Sequence, residues 1–154
     1  MNPPPLITAQ TEEKLLAFLT ESGHTKFRVQ QIMDWVWRKR VASFDAMTNL
    51  SPALRSLLAE NFRFHTPEIV EISGTPGSTR KFLTRMEDGS LVESVIIPAA
   101  VAEDGEKADR TTLCVSSQVG CAFGCKFCAS GLLGLRRNLS AGEITGQILS
   151  AESI

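Results

Sequence analysis

The sequence predicts an α+β chain in three parts. Residues 1–66 form a small all-helical module, residues 67–106 a β-hairpin with a connecting loop, and residues 107–154 the first βα unit of a partial (β/α) barrel. Three observations predict it. Up to residue 65 the apolar residues recur with helical spacing, and from Glu68 they alternate as in strands. From Thr111 a short strand pattern, which includes Cys114, runs into a loop that holds the other three cysteines, and then into a capped helix.

The helical module starts at Thr11, which can cap, followed by Glu12 and Glu13 where a helix N-terminus favours acid. Leu15, Phe18 and Leu19 share one face, and Gly23 ends the helix. A second helix is expected over residues 27–40, with Phe27, Ile32, Trp35 and Val36 as its buried face and Arg38, Lys39 and Arg40 at its exposed end. Trp35 and Trp37 should point to different faces, so one of them is free for a second role. A short helix over residues 44–47 and a longer one from Ser51, with Pro52 in its first turn and Leu54, Leu57 and Leu58 inward, complete the module.

Strands follow. Residues 68–73 alternate, and residues 79–86 and 90–97 flank Glu87-Asp88-Gly89, a hairpin signal. Residues 99–110 are polar and lack any period, which reads as a loop. Residues 111–117 read as a strand. Ser140 with Glu143 three residues on is a capping box opening the last helix.

Composition sets limits on function. A formal net charge of −1 over 154 residues gives no global nucleic-acid footprint, so RNA contact has to come from local basic clusters such as residues 38–40. The plain alternative is that this cluster is a solvated helix end. No apolar run approaches the length of a membrane span, and the first residues show no targeting pattern, so a cytoplasmic protein is expected.

The cysteine loop carries the chemistry. Cys121, Cys125 and Cys128 are separated by three residues and then two, a spacing that lets one loop wrap three thiolates around a single centre. Such a donor set suits an iron–sulfur cluster with one iron left open. Zinc remains an alternative, with Cys114, His24 or His65 as fourth ligand, although only one Cys-x-x-Cys pair exists. Disulfides are disfavoured in clustered cysteines of an intracellular chain. Cys114 by itself reads as a small buried hydrophobe, Glu93 as a carboxylate on the wet face of a strand, and Phe127 as core.

Longer strings narrow the choice. Cys-x-x-x-Cys-x-x-Cys with Phe127 before the last cysteine resembles the signature of radical S-adenosylmethionine enzymes. Thr-Leu-Cys-Val-Ser-Ser-Gln-Val-Gly-Cys, Arg-Arg-Asn-Leu-Ser, Gly-Glu-Ile and, near the start, Gly-His-Thr-Lys-Phe-Arg and Trp-Val-Trp are similar to the RlmN/Cfr family. That family methylates an adenine of large-subunit ribosomal RNA.

The resemblance implies several things. Cys121, Cys125 and Cys128 would bind a 4Fe–4S cluster whose open iron chelates S-adenosyl-L-methionine, and Phe127 would meet the cofactor's adenine. Glu93, in Val-Glu-x-Val-x-Ile-Pro, would take or shuttle the ring proton. A methylated carboxyl-terminal cysteine, absent from this sequence, would carry the new carbon, and Cys114 would attack its sulfur to release product and leave a disulfide. The helical module would help engage RNA, an electron donor such as flavodoxin would serve the cluster, and the protein would be a monomer. Carbon 2 is the expected target, with carbon 8 as the Cfr-like alternative, transfer RNA as a further substrate and a non-catalytic zinc/RNA-binding module as the runner-up. One strand and one helix cannot close a barrel, so the sequence is expected to be a truncated portion, inactive alone.

Overall fold

The computed structural model describes residues 3–99 and 110–154. It is a mixed helix-and-sheet fold with two compact units, Met1–His65 and Thr66–Ile154. Ten of the residues expected in the 99–110 loop, 100–109, lie outside the described residues.

In the first unit, α1 (Glu12–Glu21) is capped by the Thr11 side chain, which accepts from the Lys14 N–H. Its Leu15 and Leu19 are fully buried. Helix α2 (Lys26–Met33) buries Val29 and Ile32 and continues into a π-helical turn, Asp34–Arg38, that buries Val36. Phe27 was expected on this buried face but is 63% exposed. Val29, Ile32 and Val36 set the stripe, and a residue two before Val29 points to the opposite side at about 100° per residue.

Both tryptophans pack partly against the core, so neither is left over. The Trp35 indole N–H donates to Asn49 Oδ1, and the Lys39 ammonium lies 3.6 Å from its ring centroid. The short helix expected over residues 44–47 is a 3-10 turn, Phe44–Ala46. Helix α3 (Pro52–Asn61) is capped by Ser51 and turns Leu54 and Leu58 inward.

The second unit is built on a four-stranded antiparallel sheet in the order β1 (Glu68–Ser73), β2 (Arg80–Arg85), β3 (Leu91–Pro98), β4 (Thr111–Cys114). The hairpin turn closes with the Met86 N–H donating to the Ser90 carbonyl at 2.8 Å. Strand β4, expected to open a separate βα unit, pairs antiparallel with β3 and therefore extends the hairpin's own sheet. Its other edge carries no strand among the described residues.

One face of the sheet is dry: Phe82, Thr84 and Ser94 are fully buried. Helix α5 (Ala141–Ala151) lies on it, tied by Gln147 to Ser94 and by the Ser150 hydroxyl to the Pro67 carbonyl at 2.7 Å. The opposite face alternates outward with Lys81, Glu93 and Cys114, as the period of two requires.

A cysteine loop and an open sheet face

The cysteine loop hangs between two short strands, β5 (Gln118–Val119) and β6 (Arg137–Asn138), which pair antiparallel. Between them a single helical turn, α4 (Ala129–Leu132), follows Cys128. Two glycines hold the loop closed. A Cβ on Gly120 would lie 1.8 Å from the Gly134 carbonyl oxygen, and one on Gly131 would lie 2.7 Å from the Cys125 oxygen and 2.8 Å from its nitrogen. Any side chain at either place would displace the backbone that carries Cys121 or Cys125.

All four cysteines are free thiols. Cys121, Cys125 and Cys128 are half-buried, and Cys128 N–H donates to the Cys125 carbonyl at 3.1 Å. Among the described residues no three His, Cys, Asp or Glu side chains converge as a metal site. The donor set still suits an iron–sulfur cluster: three unpaired thiols on one loop, folded tightly at its glycines and open on its outer side. That outer side is apolar. Phe123 is 90% and Phe127 94% exposed, which excludes Phe127 from any core of this unit, and Leu132 and Leu133 are exposed as well.

The structure places Glu93 and Cys114 together. Lys81 pairs with Val95 and Val95 with Cys114, so these three form one row across the sheet. Glu93, two residues from Val95 on the same strand, shares that face. Glu93 and Cys114 are thus diagonal neighbours, a pair that in an antiparallel sheet stands about 7–8 Å apart. The Glu93 carboxylate pairs with Lys81 at 3.0 Å, both side chains being about half exposed. Cys114 is exposed, so the buried-hydrophobe reading of it fails.

Arg137 explains how the loop's exit is anchored. Its guanidinium donates to Asp88 Oδ2 at 2.8 Å and to both Glu143 oxygens at 2.7 and 3.0 Å. Glu143 also completes the capping box with Ser140. The Arg137 hydrogen bond, then the Ser90 N–H, hold the Asp88 carboxyl well below the usual carboxylate range. Burial works to raise Glu143, but hydrogen bonds from Arg137 and Ser140 outweigh it and the net shift is downward.

The sign follows from linkage. Carboxyls depressed in the folded state contribute stability that is present above their unfolded values and lost as pH falls through the folded ones. The melting temperature of this unit is therefore expected to hold level from neutral pH to about 5 and to drop below about 4. Arg137→Met should flatten that acid limb, as followed by circular dichroism. An equally steep limb in the variant would mean that other carboxylates carry it.

Reading of the sequence missed Gln147, which is completely buried. A signal was present: Gln147 shares a face of α5 with Ile144 and Ala151, and an uncharged amide beside such neighbours demands partners.

No described helix is long and apolar enough to cross a membrane. Residues 7–63 match the model of the ribosomal RNA large subunit methyltransferase N-terminal domain. The whole chain is 81% identical to a probable dual-specificity RNA methyltransferase RlmN of Akkermansia muciniphila and covers 43% of it. Over 94% of its length it is 49% identical to a probable dual-specificity RNA methyltransferase RlmN 3 of Opitutus terrae, covering 39% of that relative. The crystal structure of a radical SAM methyltransferase from Sphaerobacter thermophilus superposes with a TM-score of 0.78 at 39% identity, over 96% of this chain and 41% of that one. The chain thus spans roughly two fifths of the length of the relatives it matches. With residues 7–63 matching that amino-terminal domain and similarity running from end to end, the chain matches an amino-terminal portion of RlmN proteins.

Proposed function

We propose that the full-length protein methylates carbon 2 of an adenine in large-subunit ribosomal RNA by radical chemistry, and accepts transfer RNA as a second substrate. The observation that carries this is the pairing of two features in one unit. A glycine-closed loop bears three free cysteines, and the open face of the adjoining sheet bears an acid and a thiol as neighbours. Cys121, Cys125 and Cys128 hold a 4Fe–4S cluster, and the exposed Phe127 ring offers a surface for the cofactor's adenine. When bound, the cluster and S-adenosyl-L-methionine supply the radical that an electron-poor ring carbon requires.

The chain's own residues manage protons and release. The target base has to be unstacked to reach a protein site, as other base-modifying enzymes require. Glu93 takes the proton that the ring carbon gives up, and Lys81 keeps its carboxylate in place. Cys114, exposed on the same face, supplies the thiolate for release. Its sulfur attacks the sulfur of a carrier cysteine outside residues 1–154. An S–S bond forms, the C–S bond to the new carbon breaks, and the electron pair leaves with that carbon, which takes a proton. The two cysteines end as a disulfide, reset by exchange with an external thiol.

The test is product analysis. The full-length protein, reconstituted anaerobically with iron and sulfide and given S-adenosyl-L-methionine, a one-electron donor of the flavodoxin class and ribosomal RNA, should yield 2-methyladenosine on nucleoside digestion. A yield of 8-methyladenosine alone would overturn the assigned carbon. Stoichiometric zinc, no iron and no methylated base would overturn the enzyme reading in favour of a zinc-bound RNA module.

A further inference from the structure

The β3–β4 ladder runs out where the reactive groups begin. Its last backbone pair is Val95 with Cys114. In the same register the next pairs would be Ser94 with Val115 and Glu93 with Ser116, but residues 115–117 leave the strand conformation. Side chains take over the pairing there. The Ser116 hydroxyl donates to the Glu93 carbonyl at 2.7 Å. The Gln147 carboxamide then brackets Ser116 as a neighbouring strand would, its Oε1 accepting from the Ser116 N–H and its Nε2 donating to the Ser116 carbonyl, both at 2.9 Å.

Two further bonds complete the amide. Oε1 also accepts from the Ser94 hydroxyl at 2.8 Å, and Nε2 also donates to the Glu143 carbonyl at 3.3 Å. All four bonding capacities of the amide are used, and both Gln147 and Ser94 are 0% exposed. The pattern is specific to glutamine. A carboxylate would set an oxygen against two carbonyls, and an apolar side chain would leave the Ser94 hydroxyl and the Ser116 N–H without partners.

We propose that Gln147 is a positioning residue for methyl transfer: from α5 it holds the strand ends carrying Glu93 and Cys114 in one register. The proposal rests on the roles assigned to those two residues above. Gln147 touches neither reacting group. It acts through Ser94, next to Glu93 in β3, and through Ser116, two residues past Cys114. Loss of this node lets the ladder fray beyond Val95 and Cys114, and the acid and the thiol then lose their fixed relation. Misplacement of about 1 Å at a reacting group can cost on the order of 100-fold in rate.

The experiment uses full-length protein loaded with iron, comparing the parent with Gln147→Met, Ser94→Ala and Cys114→Ala at a temperature well below each melting point. For Gln147→Met we expect kcat to fall roughly 10- to 100-fold with KM for RNA within about threefold, iron content unchanged, and covalent protein–RNA adduct to build up. Ser94→Ala, which removes one bond of the four, should show the same split at roughly 3- to 10-fold. A merely structural role predicts a lower melting temperature with kcat unchanged, or iron content falling in step with kcat. Either result overturns the proposal. Should Gln147→Met fail to fold, Ser94→Ala decides by the same criteria. Adduct in Cys114→Ala but none in the Gln147 and Ser94 variants overturns the positioning role alone, whereas no adduct in Cys114→Ala overturns the role of Cys114 and this proposal with it.

Discussion

Alanine in place of any one of Cys121, Cys125 or Cys128 is expected to leave the full-length protein without iron. In the proposed donor set each thiol is one of three, and the one other cysteine within residues 1–154, Cys114, sits on the exposed sheet face in a row with Val95 and Lys81. Loss of one thiolate leaves two ligands, too few to retain a 4Fe–4S cluster normally held by cysteines. The fold should survive, because all three side chains are only half-buried and none bridges to another. A stability change within about 0.5 kcal/mol is expected, typical of a surface replacement. Anaerobic reconstitution followed by metal analysis and a visible spectrum measures the first effect, and thermal melting measures the second. Parent-level iron in any of the three variants would remove that cysteine from the ligand set.

Cys114→Ala is expected to separate release from everything before it. In the structure this thiol is free, exposed and outside the cysteine loop, so its removal disturbs neither the donor set nor the dry face of the sheet. The variant should load iron at the parent level, cleave the cofactor and add carbon to RNA, because none of these steps needs a second thiol. Breaking the enzyme–RNA link does need one. Accumulation of a nuclease-sensitive, shifted band on a denaturing gel is the expected result, with multiple turnover reduced to a single event at most. An iron-poor variant would instead make Cys114 a ligand, and methylated RNA released at the parent rate would give it no part in the reaction.

The sequence by itself determined what neighbours within a few residues decide. Caps at Thr11, Ser51 and Ser140 were readable because a side-chain oxygen satisfies an N–H only two or three residues away. The Glu87-Asp88-Gly89 turn and the 121–125–128 cysteine spacing are local in the same sense. Tertiary structure decided the rest. Phe27 shares its apolar character with Val29, and only the phase of the helix against the core put one in solvent and the other inside. Strand β4 reads the same whether it opens a barrel or extends a hairpin, since its pairing partner is a matter of which distant edge it meets. Arg137 finds Asp88 49 residues away, and Gln147 finds Ser94 53 residues away. Such partners leave no local trace, because a buried polar group is satisfied by whichever surface packing brings against it.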